Sequence, residues 1–248
     1  MDTFSFNGRS LSELGAIITG PPHYEVAVRE LENISIPGKS GDIIIDKERF
    51  KNVTLKYNVA HVPTLSDLRS DELVTALSAW LLTVYNYCEL RDTYNPGYFR
   101  KAVCTSIGSP TAETSNAVET AITFDCAPFW YSDSGTHPVV LTPTAGTAQW
   151  QYHNPEAWAA DPVIRIEGSG DFVIAVTGAK TILLQISDVD GGVIIDTPKE
   201  NVTDLSGSDV NDLVSGNILP YLSPGSGTVT ISGENAFTAT LIPNWRRL

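Results

Sequence analysis

DPVIRIEGSGDFVIAVTGAKTILLQISDVDGGVIID, residues 161–196, reads as strand after strand. Short runs rich in Val, Ile and Leu are each closed by Gly, Asp or Thr, which is how half-buried β structure punctuated by turns looks in sequence. The pattern continues through GTVTISG and FTATLIP. Such runs recur at the ~8–12-residue spacing of an all-β sandwich, and no helical periodicity interrupts them. Within the stretch, Asp188-Val189-Asp190-Gly191-Gly192 resembles the start of a calcium loop. Val193 and Lys199 stand where that loop needs its Gly and its closing Glu. The Asp-Gly pair instead predicts a hairpin turn between LLQIS and VIID.

Working toward the N-terminus, His153-Asn154-Pro155 resembles the start of the sugar-binding HNPR of galectins, with Glu156 in place of the arginine. Trp150, Tyr152 and Trp158 lie close by. They could stack on a sugar, but packing between domains is the expectation. Before them, SDSGTHPVVLTPTAGTAQ is rich in Ser, Thr, Gly and Pro, the texture of a domain connection or a loop-rich strand pair. The division expected is residues 1–137 and 138–248.

The first part is also mainly β. TFSFNG, LGAIIT, YEVAVRELENISI, DIIID and VTLKYNVAHV read as strands, with DKERFKN as a polar turn. The alternation Glu25-Val26-Ala27-Val28-Arg29 predicts a half-buried strand. Tyr98 to Cys104 is another, and VETAITFDCAPFWY a further one stopped by Pro128. One helix stands out. In DLRSDELVTALSAWLLTVY, Leu73, Leu77, Trp80, Leu81 and Val84 share one face, with Trp80 as a core anchor. Ser66 or Ser70 would cap it, with Asp67, Asp71 and Glu72 near its positive end.

Composition bounds the function. The 248-residue chain carries a net charge of −13, which argues against a nucleic-acid-binding surface. It leaves room for a channel that nucleic acid passes without sticking, although the acidic surplus lies largely in the second half. The N-terminus lacks the layout of a signal peptide. The longest apolar run, AWLLTVY, is far below the ~20 residues of a membrane helix. A chain made in a cytoplasm, without a membrane span, is expected. Cys88, Cys104 and Cys126 are odd in number and lack zinc spacing, so free buried thiols are expected. His23, His61, His137 and His153 form no metal or triad motif. No catalytic, cofactor or metal site is expected.

The remaining stretch is IPGKSGDIIID, Ile36 to Asp46. A phosphate loop would need a glycine where Asn33 stands, and a helix where an apolar β run follows. The glycines therefore read as turn residues.

Taken in order, several segments resemble one family. They are FSFNG with SELG; IPGKSGDIIID with RFKNVTLKY; the helix ending AWL with LRDTYNPGYFRKA; and NPEAWAADPVIRIEG with LPYLSPGSGTVTISG and IPNWRRL. The set is similar to the distal tail proteins of phages with long, non-contractile tails. Two positions depart from it. Asn244 stands where relatives more often carry arginine, and Lys39 often corresponds to arginine. The resemblance implies a virion protein at the tail tip, assembled in the host cytoplasm. Its N-terminal β-sandwich-like domain, with one helix, would close a homo-hexameric ring. Its C-terminal galectin-like β-sandwich would lie outside. The tail tube protein, the tail-tip protein and receptor-binding proteins would be partners, with DNA leaving through the hole. A carbohydrate-binding module is the alternative. Relatives use the IPGKSGDIIID segment as an arm embracing the next subunit. The expected interface is then Ile36, Lys39, Asp42, Ile43, Ile44, Ile45 and Asp46. Ile43 and Ile45, or else Ile44, would face the neighbour.

Overall fold

The computed structural model describes residues 1–62, 64–65, 70–114, 117–216 and 218–248. The chain is mainly β and forms two compact units, Met1–Trp130 with Leu248, and Tyr131–Arg247.

In the first unit the strands run in the order Arg9–Ser10, Phe4–Phe6, Cys88–Asp92, Tyr98–Ile107, Ala117–Ser132, Val53–His61, Ala16–Ile18. Arg9–Ser10 with Phe4–Phe6, Phe4–Phe6 with Cys88–Asp92, Cys88–Asp92 with Tyr98–Ile107, Ala117–Ser132 with Val53–His61, and Val53–His61 with Ala16–Ile18 are antiparallel pairs. Asn7 and Gly8, both at positive φ (51° and 78°), make the tight turn between the first two strands. Val53–His61 keeps the alternation its sequence announces, with Val53, Leu55, Tyr57 and Val59 buried. Four strand spacings separate Phe4 from Tyr57, about 19 Å on a flat sheet. Their rings nevertheless stack at 4.9 Å, and Phe4 meets Phe124 edge-on at 5.5 Å. The sheet therefore rolls onto itself around an aromatic centre.

Ser70–Leu81 is the helix, and Leu73, Leu77, Trp80 and Leu81 are its buried face. The expected caps at Ser66 and Ser70, with Asp67 and Asp71, fall on side chains outside the described set. Trp80 stacks on Phe4 at 5.8 Å, and its Nε1 donates to the Phe6 carbonyl at 3.2 Å. Cys104 and Cys126 are buried in this core as free thiols, and burial pushes them up to about 11 and about 12. The last strand runs through Pro128 to Ser132 instead of stopping. Its ladder with Val53–His61 ends at Cys126↔Val53, so that side asks no N–H of Pro128.

The second unit is a sandwich of two five-stranded antiparallel sheets. One has the order Val139–Leu141, Thr238–Ile242, Val163–Glu167, Gly192–Asp196, Asn201–Asp204. The other has Thr147–Asn154, Gly225–Gly233, Gly170–Thr177, Thr181–Val189, Val214–Ser215. Ile164, Ile166, Val193, Ile195 and Leu241 from the first sheet share one core with Phe172, Ile174, Leu184, Ile186 and Ile231 from the second. The expected hairpin at Asp190-Gly191 is corrected here. Thr181–Val189 and Gly192–Asp196 lie in different sheets, so the turn carries the chain across the sandwich. Gly192, at φ 151°, leaves no room for a side chain: a Cβ there would stand 2.6 Å from the Ile166 carbonyl.

Replacing Trp80 by Ala removes the helix's anchor from the rolled sheet. The variant should lose about 3–5 kcal/mol of stability in urea unfolding. Trp80→Phe, which keeps most of the volume but not the indole N–H, should lose markedly less.

Candidate intersubunit arm

Among the described residues, Arg29–Ile34 and Ile43–Phe50 pair only with each other, as a two-stranded sheet. Between them, Pro37-Gly38 forms a turn in which the Lys39 N–H donates to the Ile36 carbonyl at 3.1 Å. Gly38 lies at φ 81°, as the third residue of a type II turn requires. Gly41, at φ 87°, leads through Asp42 into the second strand. The stretch DKERF, expected as turn, is strand. Its charges are matched across the ribbon: Arg29 to Asp46 at 2.9 Å, Lys47 to Glu30 and Glu32 at 3.6 and 3.7 Å, and Arg49 to Glu30 at 3.0 Å. Glu48 sits at φ 56°, and its N–H donates to Asp46 Oδ1 at 2.9 Å. This local kink lies opposite the register shift between Arg29 and Leu31.

The ribbon is exposed on both faces. The register Ile34↔Ile43 and Glu32↔Ile45 puts Ile34, Ile43 and Ile45 on one face. Asn33↔Ile44 and Leu31↔Asp46 put Ile44 and Leu31 on the other. Ile44 is 64% exposed, and Ile36, Lys39, Asp42 and Asp46 are exposed as well. The arm thus carries five exposed isoleucines and Leu31 on a structure that is marginal alone. Exposed ion pairs of this kind contribute ~0–1 kcal/mol each and do not replace a core.

The root of the arm is fixed. The strand expected over Glu25–Arg29 begins only at Arg29, and Val26 and Val28 point outward, Val26 at 81% exposure. The link is held instead by Glu25, which accepts from the Thr54 N–H at 2.9 Å, and by the Lys51 N–H, which donates to the Val28 carbonyl at 2.9 Å. Just before it, the Tyr24 hydroxyl donates to buried Asp92 at 2.7 Å. The Tyr57 hydroxyl donates to the same oxygen at 2.7 Å. The other Asp92 oxygen accepts the N–H groups of Tyr94 and Asn95 at 3.0 and 2.9 Å. Burial, then the Asp92 carboxylate, holds both tyrosines well above the usual phenol range. Arg100 lies buried beside them with its guanidinium carbon 4.5 Å from the centre of the Trp130 ring. Burial lowers its pKa, and Nε and Nη1 have no acceptor among the described residues. The LRDTYNPGYFR segment is therefore what clamps the arm's base.

In the second unit the sugar-site residues are otherwise engaged. Tyr152 is 3% exposed, and Trp150 stacks on Trp245 at 6.2 Å, a partner in the same unit. Asn154 is buried, donating to the Trp158 and Leu222 carbonyls at 2.9 and 3.3 Å. NPEAWAADP and IPNWRRL come together. Arg246 Nε donates to the Ala159 carbonyl at 2.7 Å, and both ends of its guanidinium grip Asp161. Asn244, at φ 57°, donates its Nδ2 to the Asp161 carbonyl at 2.9 Å. Among the described residues no three of His, Cys, Asp or Glu gather as a metal site would require.

No protein-family model and no curated protein matches the sequence. Solved structures do. The Dit protein of phage SPP1 (gp 19.1), described as a paradigm of the hub adsorption apparatus in Gram-positive-infecting phages, matches over 100% of both chains. The TM-score is 0.70 at 15% identity. The chain has the fold of a Dit protein. The insecticidal crystal protein Cry2Aa aligns with 95% of this chain and 52% of its own, at 11% identity and a TM-score of 0.23, too low to carry an argument.

Sequence reasoning placed the arm on Ile36–Asp46. It read YEVAVRELENISI as strand but left Arg29–Ile34, with Leu31 and Ile34, out of the arm, and it expected Val26 and Val28 half-buried where they are exposed. A signal was there: RELE and DKER are charge-matched across a hairpin register, whereas a turn needs no such match. Asp92→Ala should cost about 3 kcal/mol by stranding the Tyr57 hydroxyl and two backbone N–H groups. It should also raise amide exchange across residues 24–28 before the rest of the unit, as measured by hydrogen exchange.

Proposed function

We propose that this protein is a structural hub of a phage tail, the subunit of a homo-hexameric ring at the distal end of a long, non-contractile tail. The observation that carries the reading is the correspondence with the Dit protein over the whole of both chains. In this reading the protein is not an enzyme. It joins the tail tube protein to the tail-tip protein, offers its periphery to receptor-binding proteins, and leaves a channel for DNA without binding it stably. The ring-forming part is residues 1–137 and the outer sandwich 138–248. It works in the virion, having been assembled in the host cytoplasm.

The arm supplies the closure. A ring of identical subunits needs a surface on each copy that fits a different surface on the next. An anchored ribbon with isoleucines on both faces is suited to lie against a neighbour. Ile34, Ile43 and Ile45 would cover one side, and Ile44 with Leu31 the other. Each half-exposed isoleucine covered there contributes on the order of 1 kcal/mol. Lys39, at the tip, would meet a carboxylate of the neighbour.

Deleting residues 39–44 should leave a folded protein, because none of them belongs to either core. Its mass by light scattering should fall about sixfold as the ring comes apart. Rings that persist in the deletion variant would show that the arm is an internal hairpin only.

A further inference from the structure

A sandwich has four sheet edges, and exposed edges are liabilities that proteins normally blunt. Three are blunted here. Val139–Leu141 has three residues and Val214–Ser215 two. Asn201–Asp204 is covered by its own loop: Val210 N–H donates to the Val202 carbonyl at 2.9 Å, and Asp204 N–H to the Ser208 carbonyl at 2.8 Å. The fourth, Thr147–Asn154, is eight residues long. Its sequence, TAQWQYHN, holds no charge and no proline. Its register with Gly225–Gly233 runs unbroken from Thr147↔Ser232 to Asn154↔Gly225.

The direction of its free groups follows from its ends. Gly146 accepts from the Gly233 N–H at 3.0 Å, on the inner side. Thr147 exchanges both backbone bonds with Thr144, at 2.9 and 3.2 Å, on the outer side. Alternation then points the N–H and C=O of Gln149, Gln151 and His153 outward. Among the described residues none of these has a backbone partner there.

We propose that this edge pairs with the same edge of a second copy, antiparallel, about a two-fold axis through Gln151. In that register Gln151 faces Gln151, and Gln149 faces His153. All three outward residues of each copy then form hydrogen-bonded pairs. Shifting the axis to any neighbouring position opposes an open residue to Thr147, already spent on Thr144, or to Pro155, which has no N–H. The chain carries −13 and its copies repel, but this edge is neutral. The opposed side chains, amide on amide and amide on imidazole, pair without a like-charge clash. A two-fold contact of this kind is isologous and closes on itself. It is independent of the ring, which uses the arm of the other unit.

The test uses the full-length protein with Cys88→Ser, the other two cysteines being buried. In the proposed pair the two Gln151 Cα atoms stand about 5.5 Å apart, within disulfide range. The two Gln149 Cα atoms are offset by about 13 Å along the strands. Gln151→Cys should give at least tenfold more covalent dimer under mild oxidation than Gln149→Cys. Gln151→Pro should fold, because that N–H is unused within one copy. Its mass in sedimentation should be about half that of the unsubstituted protein. Equal cross-linking of the two cysteine variants, or an unchanged mass for Gln151→Pro, overturns the proposal. An edge kept for a foreign strand gives that second result.

Discussion

Every β strand presents N–H and C=O groups along both of its edges, and each of these must find a partner in protein or in water. That constraint shapes both units of this protein. The N-terminal sheet rolls until Phe4 stacks on Tyr57, four strands away, so the apolar face covers itself and the helix lies against it. The sandwich shortens two of its edges and folds a loop over a third. Among the described residues, the arm and the Thr147–Asn154 edge are two places where such groups are left open. Both are where other copies are proposed to dock.

The arm divides into a fixed base and a free tip. At the base, Asp92 collects two tyrosine hydroxyls and two backbone N–H groups in a buried site. Such a network costs a great deal to break. Toward the tip, the ribbon is held by cross-strand hydrogen bonds and exposed ion pairs. In the proposed ring the tip would gain its apolar cover from a neighbour, which would tie ordering to assembly, while the anchored base would limit the directions in which the tip can reach.

Much of this was legible in sequence where local pattern and tertiary demand agree. VTLKYNVAHV alternates because one face of that strand is core, and Leu73, Leu77, Trp80 and Leu81 recur at helical spacing for the same reason. Reading failed where a local signal has two structural uses. DKERF looked like a turn because it is charged, yet those charges pair across a ribbon in water. Asp190-Gly191 looked like a hairpin because such pairs bend the chain. A bend between two sheets asks for the same residues. Pro128 looked like a stop, but at that point the ladder with Val53–His61 has already ended.

By itself the sequence determined the class of structure: mainly β, one amphipathic helix, a strand-rich second half, and a glycine-bracketed isoleucine run that fits no phosphate loop. These are properties of periods and turn residues, which act over a few positions. Only the tertiary structure decided which strands share a sheet, that Arg246 closes on Asp161 across most of a hundred residues of chain, and that the isoleucines of the arm meet no core of their own. Those outcomes depend on contacts between distant segments. A local pattern cannot tell whether an apolar residue is covered by its own chain or left for another.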